Sequence, residues 1–324
     1  MDFLSYYSEK FNLALSQSQV QRQPLELYQP INYILDLGGK RIRPLLTLMA
    51  AEAFGSQADE AMRAALAVEF FHNFTLIHDD IMDEAPIRRG LATVHEKWDT
   101  NTGILSGDAM MILAYKQLEK YSDERYFQLM KVFNKVALEV CEGQQLDVNF
   151  ETQQTVSEAE YMTMIRQKTA VLLATALQMG AIVSRAATSD QNNIYTYGIE
   201  LGLAFQLQDD YLDAFGDPKT FGKQVGGDII ENKKTFLYLK AIELLGASES
   251  MTLKKLFTED HAYPKIKVEL AKSLFLQSKA DEVLKSRIDE HTQKALKVLE
   301  DTSLNEESKE QFRQFAVWLM RRAS

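Results

Sequence analysis

Apolar residues recur at helical spacing along almost the whole chain, and no alternation of apolar and polar positions runs long enough to predict a strand. Only 6 prolines and 15 glycines interrupt 324 residues. The pattern therefore predicts long helices joined by short loops, an all-α fold in a single domain over residues 1–324. Ala61–Asp83 is apolar around most of its circumference, which predicts a helix at the centre of a bundle. The longest apolar candidate, Thr169 to Val183, is interrupted by Thr175, Gln178 and Gly180. It falls short of the roughly 20 residues a membrane-spanning helix needs. Residues 16–23 are polar and predict a mobile entry segment. Residues 236–324 read as charged amphipathic helices in a peripheral layer, with Arg321 and Arg322 either a solvated basic tail, the favoured reading, or a pair folded over an anion site.

Composition narrows the class without naming it. Hydrophobic residues at 46% and charged residues at 25% are ordinary for a globular protein. A net charge of -10 argues against a nucleic-acid partner, which would want a basic face. It leaves room for a local basic site that takes a phosphorylated substrate. The lone Cys141 permits no intrachain disulfide. The first ten residues lack the basic start and apolar core of a signal peptide, so a cytoplasmic location is expected.

Candidate chemistry concentrates at two acid clusters. Asp79 and Asp83 are four residues apart, so a helix sets both carboxylates on one face, with Asp80 rotated by roughly 100°. Pro86 is expected to stop that helix, and Arg88, Arg89 and Gly90 follow. His72 lies two turns before Asp79 and nearly in line with it. The arrangement returns 130 residues later as Asp209, Asp210 and Asp213, with Gln206 one turn earlier, ample for two helices facing one another. A loop bearing glycines and Lys223 follows it. Six carboxylates ending apolar helices would be strongly unfavourable without cations, and magnesium is a hard ion suited to them. Leu37–Pro44 breaks one helix and opens the next, placing Lys40, Arg41 and Arg43 at an N-terminus that already favours anions. Ser106–Ala109 is expected to start a helix, and Glu142–Asp147 to end one. Lys168 and Thr169 enter the apolar run Ala170–Leu177. A charged turn or a snorkelling lysine would explain each feature alone; two such acid clusters together call for a ligand.

These motifs resemble the trans-polyprenyl diphosphate synthases, the farnesyl and geranylgeranyl diphosphate synthase family. The resemblance runs from about Gly38 to Thr235 and rests on five motifs in family order. They are Gly38-Gly-Lys-Arg-Ile-Arg-Pro44, Asp79-Asp-Ile-Met-Asp83 with Arg88-Arg-Gly90, Gly143-Gln144 with Asp147, Lys168-Thr169, and Phe205–Asp213 with Gly222-Lys223. The resemblance implies a helical bundle around a deep central cavity, acting as a homodimer. It implies three magnesium ions: two on Asp79 and Asp83 with Asp80 in support, and a third on Asp209 with Asp210 and Asp213 nearby. It assigns Arg88, Lys168 and Lys223 to an allylic diphosphate (dimethylallyl, geranyl or farnesyl). Lys40, Arg43, His72 and Arg89 would hold isopentenyl diphosphate, and Thr169 and Gln206 would flank the reacting carbon.

The implied chemistry is ionisation, condensation and elimination. The allylic C–O bond breaks, the magnesium ions and cations stabilise the departing diphosphate, the double bond of isopentenyl diphosphate attacks the carbocation in a dry site, and the resulting cation loses a proton to the released diphosphate. In the family, residues four and five positions before the first aspartate close the cavity; here they are Thr75 and Phe74. A single aromatic at the fifth position resembles the geranylgeranyl type, with a farnesyl product as runner-up. A class I terpene cyclase and a non-catalytic homologue serving as a binding subunit stay as rivals. The Gly-Gly-Lys-Arg and Arg-Arg-Gly elements, which serve a second diphosphate, speak against the first. The complete set of aspartates and cations speaks against the second.

Overall fold

The computed structural model describes residues 2–216, 225–258 and 263–321; Lys223 and Arg322 lie outside them. The helical expectation holds. The first helices are α1 (Asp2–Gln17), α2 (Leu25–Asp36), α3 (Ile42–Ala53) and α4 (Ala58–Met82). A hairpin of β1 (Ile87–Arg88) and β2 (Leu91–Ala92) follows. After it come α5 (Val94–Lys97), α6 (Thr100–Leu118), α7 (Glu124–Thr152) and α8 (Glu158–Ile165). A single π-helical turn, Arg166–Ala170, leads into α9 (Val171–Val183) and α10 (Thr188–Phe215). The remainder is α11 (Gly227–Ile230), α12 (Phe236–Leu244), α13 (Ala247–Leu256), α14 (Pro264–Gln277), α15 (Ala280–Glu300) and α16 (Glu306–Arg321). The chain divides into two compact units, one of residues 1–135 and 175–192, the other of 136–174 and 193–324.

In the first unit α4 packs on α3 and α6, α2 lies against α6, and α1 against α3. The even distribution of apolar residues around α4 explains its place: Ala61, Ala64, Ala65, Leu66, Val68, Phe70, Phe71 and Ile77 are all buried. The helix ends at Met82, ahead of Pro86. Asp83 is its C-cap and Glu84 turns left-handed at φ 48, so the stop is made before the proline. The hairpin turns through Arg89 at φ 52 and Gly90 at φ 80, the geometry of a tight two-residue connection. The segment 16–23 is tied down: Asn32 accepts from the backbone N–H of Val20 and donates to its carbonyl, both at 3.0 Å.

Two expected helix ends are interior positions. Ser106 lies inside α6, where its hydroxyl donates to the carbonyl of Leu27 at 3.0 Å. α7 runs through Glu142–Asp147 and on to Thr152. The polar and small residues that suggested boundaries are contact points within long helices.

In the second unit α12 packs on α8, α13, α14 and α15, while α11 lies on α14 and α15 on α16. The hydroxyl of Tyr197 on α10 donates to the carbonyl of Phe312 on α16 at 2.9 Å. A capping box starts α8: Glu160 N donates to Ser157 Oγ at 3.2 Å and Ser157 N to Glu160 Oε2 at 2.8 Å. This fixes the helix that carries Tyr161.

Candidate active site

The first unit assembles a cation cluster from three stretches that are distant in sequence. Gly38 and Gly39 take φ values of 77° and 123°, and Arg41 takes 49°. A Cβ on Gly39 would lie 2.7 Å from the guanidinium carbon of Arg89, so only glycine lets that side chain lie over the turn. Arg89 Nη1 donates to the carbonyl of Gly38. Lys40 stands exposed on the same turn, and Arg43 Nη1 donates to His72 Nε2 at 3.1 Å. An arginine only donates, so His72 accepts at Nε2 and carries its proton on Nδ1. Burial, then Arg43, Arg89, Arg88 and Arg41, hold the imidazole's pKa well below the ordinary histidine value. Burial and Arg41 likewise lower that of Arg89. The site is thus an accumulation of positive charge around a neutral imidazole, suited to a multiply charged anion.

At the end of α4 the three aspartates part company. Asp80 is buried at 1% exposure, and Arg88 Nε donates to both of its oxygens at 2.8 Å. Asp79 is half-buried and Asp83 exposed. The offset of about 100° between neighbours on a helix separates the structural carboxylate from the accessible pair. The family resemblance assigns Arg88 to a diphosphate; in the structure its guanidinium is the counter-ion of Asp80. Phe74, 8% exposed, packs its ring 5.4 Å from Phe71 and 4.9 Å from His78. Thr75 is half-buried and its hydroxyl donates to the carbonyl of His72 at 2.8 Å.

The second unit repeats this division. Asp210 is buried and accepts from the hydroxyl of Tyr161 and from Gln206 Nε2, the latter at 3.3 Å. Thr169 Oγ1 donates to Gln206 Oε1 at 3.1 Å, which joins the two residues expected to flank the reacting carbon. Asp209 and Asp213 are half-buried, and Asp213 Oδ2 accepts from the backbone N–H of Asp228 at 3.1 Å. Burial and the Asp228 carboxylate push the Asp210 pKa well up. Burial and Asp210 do the same to Tyr161. A cation in this cluster would offset the repulsion.

Lys168 Nζ reaches Asp147 Oδ2 at 2.5 Å. The π-turn carries this lysine against α7, where a Cβ on Gly143 would stand 2.3 Å from the backbone nitrogen of Lys168. The Gly143…Asp147 spacing is thereby explained: one residue admits the turn, and the other, one helical turn on, takes its lysine. Sequence reading missed Tyr161, Asp228 and Glu69, the buried partner of Arg41. A carboxylate buried in an apolar helix was the available signal for Glu69; nothing local marks Tyr161.

The accessible carboxylates Asp79, Asp83, Asp209 and Asp213 are hard oxygen donors of the kind magnesium takes. Among the described residues no group of three His, Cys, Asp or Glu side chains forms a metal site. Magnesium is usually held by one or two carboxylates, with water and substrate phosphate completing its shell. Among the described residues no helix is long and apolar enough to cross a membrane.

The sequence pattern of polyprenyl synthetases matches residues 24–274. Over 245 residues the chain is 41% identical to a geranylgeranyl diphosphate synthase of Methanosarcina mazei, covering 75% of this chain and 76% of that one. A crystal structure of a geranylgeranyl pyrophosphate synthase superposes with a TM-score of 0.95 at 54% identity, over 99% of each chain. A geranylgeranyl pyrophosphate synthetase from Pyrococcus horikoshii does so with a TM-score of 0.91 at 30% identity, over 98% of each.

Proposed function

The chain belongs to the polyprenyl synthetase family and is a prenyltransferase; on that premise we propose that it joins isopentenyl diphosphate to allylic diphosphates and releases geranylgeranyl diphosphate. The observation that carries the reading is the composition of α4 and its surroundings. His72, paired with Arg43 and close to the charge of Arg89, suits a bare diphosphate. Asp79 and Asp83, with Arg88 beside them on Asp80, suit a diphosphate chelated by metal. Two diphosphates are what a condensation needs, and a cyclase needs one.

In this reading Lys40, Arg43, His72 and Arg89 bind isopentenyl diphosphate. His72 offers its Nδ1 proton as a neutral donor. Asp79, Asp83, Asp209 and Asp213 take part in holding the magnesium diphosphate of the allylic substrate. Asp80 and Asp210, already engaged by Arg88 and Tyr161, keep the two clusters in place. Bound magnesium, three ions by the family pattern, would neutralise charge on the departing diphosphate. Lys168, set by Asp147, adds a fixed positive charge, and Lys223 is assigned with it from its motif. Thr169 and Gln206 direct neutral dipoles at the allylic cation without attacking it.

A chain length of twenty carbons is supported by Phe74, the single aromatic at the family's blocking position. It is buried and braced by Phe71 and His78. Exposed Leu105 and Ile112 on α6 and Phe127 on α7 support a homodimer. Both substrates are charged and water-soluble, so the proposal places the reaction in the cytoplasm. The test is incubation of labelled isopentenyl diphosphate with magnesium and each of three allylic starters, followed by chromatography. Twenty-carbon product is expected, with none in the presence of a chelator. Condensation that survives chelation, or no condensation with any starter, refutes the proposal.

A further inference from the structure

The two arginines that flank Ile42 are fastened to α4 at neighbouring points. Arg43 donates to His72, and Arg41 Nη1 donates to Glu69 Oε1 while its Nη2 donates to the carbonyl of Leu35. Glu69 and His72 are three residues apart, so the two acceptors sit one turn apart on neighbouring parts of the helix surface. The Arg41–Glu69 pair is enclosed, at 7% and 1% exposure. Asn73 closes it further: its Nδ2 donates to Glu69 Oε1 and to the Glu69 carbonyl, both at 2.8 Å.

Such a pair is not explained by stability alone, since a well-packed apolar pair would serve as well or better. Its surroundings supply the reason. Arg41 holds a left-handed backbone at φ 49, which costs an arginine free energy and needs an outside hold. The turn it ends carries Lys40, and the helix it opens carries Arg43. Several positive charges crowd this place, and Glu69 opposes them at Arg89 together with Asp80.

We infer that Glu69 is a positioning residue for the second diphosphate: by anchoring Arg41 it fixes the Gly38–Arg43 turn, so that Lys40 and Arg43 meet the ligand in place. The inference rests on the reading that Lys40, Arg43 and His72 hold isopentenyl diphosphate. Arg41 is a structural cation in this scheme, turned into the protein, while its neighbours face the substrate.

The experiment measures KM for each substrate separately, with thermal stability alongside, in Glu69→Ala, Glu69→Gln, Arg41→Met/Glu69→Met and Lys40→Ala. Glu69→Ala is expected to raise KM for isopentenyl diphosphate about tenfold or more, with KM for the allylic substrate unchanged. Glu69→Gln keeps an acceptor for Arg41 and gives a smaller rise. The double methionine variant leaves no buried charge unpaired, so it keeps its Tm and still shows the selective rise. A double variant that keeps its Tm and also the wild-type KM for isopentenyl diphosphate, so that the rise in Glu69→Ala comes only with loss of Tm, makes the pair merely structural and overturns the inference. Equal rises for both substrates overturn it too. An unchanged KM for isopentenyl diphosphate in Lys40→Ala refutes the diphosphate assignment and the inference with it. A raised value there with unchanged Glu69 variants refutes the positioning role alone.

Discussion

Arg88 grips Asp80 with its Nε 2.8 Å from both carboxylate oxygens and its Nη2 2.6 Å from Oδ1. The middle aspartate of the first cluster is therefore buried against an arginine, while Asp79 is half-buried and Asp83 exposed, and under the proposed function those two are the metal ligands. Asp79→Asn is expected to lower Tm less than Asp80→Asn does and to abolish the gain in stability that magnesium plus an allylic diphosphate analogue confers. Asp80→Asn is expected to destabilise by about 1–3 kcal/mol, because Arg88 loses its charged partner. Paired thermal melts with and without ligand distinguish the two; equal behaviour contradicts the division.

Tyr161 plays the corresponding part for Asp210. Tyr161→Phe removes a buried donor and leaves the carboxylate short of one bond. The expected cost is about 1–3 kcal/mol, with a higher magnesium requirement for turnover. A magnesium titration of initial rates checks it.

Gly143 is expected to tolerate no side chain. A methyl group there meets the backbone of Lys168 at 2.3 Å, so α7 and the π-turn must separate. Gly143→Ala should cost about 1–3 kcal/mol through overpacking. It should lower kcat as well, since Lys168 is displaced from Asp147. Wild-type kcat and Tm in this variant would contradict the contact.

His72 gives the protein a signature in pH. Its folded-state pKa lies well below the unfolded value of about 6.5. Above the unfolded value both states hold neutral imidazole, and the full contribution to stability is present. As pH falls below it, the unfolded chain takes up a proton that the folded one refuses, and stability falls until the folded pKa is passed. Denaturant melts between pH 7 and 5 should show a steeper loss in the wild type than in His72→Gln. Identical slopes would place the histidine in an ordinary environment.

Phe74→Ala should lengthen the product and cost about 3–5 kcal/mol through the cavity it leaves. Chromatography of the products decides it, and an unchanged length distribution removes Phe74 from the floor.

Much of this protein was legible from its residues. Helical spacing without strand alternation determines an all-helical chain, because burial of one face at a period of 3.6 residues is a local property. The aspartate spacings and the order of the motifs determine the family. Locally ambiguous signals were misread where contacts override propensity: Ser106-Gly107 and Gly143 looked like helix boundaries and lie inside α6 and α7. Only the tertiary structure decided which aspartate in each cluster is buried. The deciding partners, Arg88 for Asp80 and Tyr161 for Asp210, arrive from eight and forty-nine residues away. The same holds for Glu69, whose buried carboxylate is paired with Arg41, twenty-eight residues away. The physical reason is that a carboxylate's role depends on what shares its burial, and burial is settled by packing between distant segments.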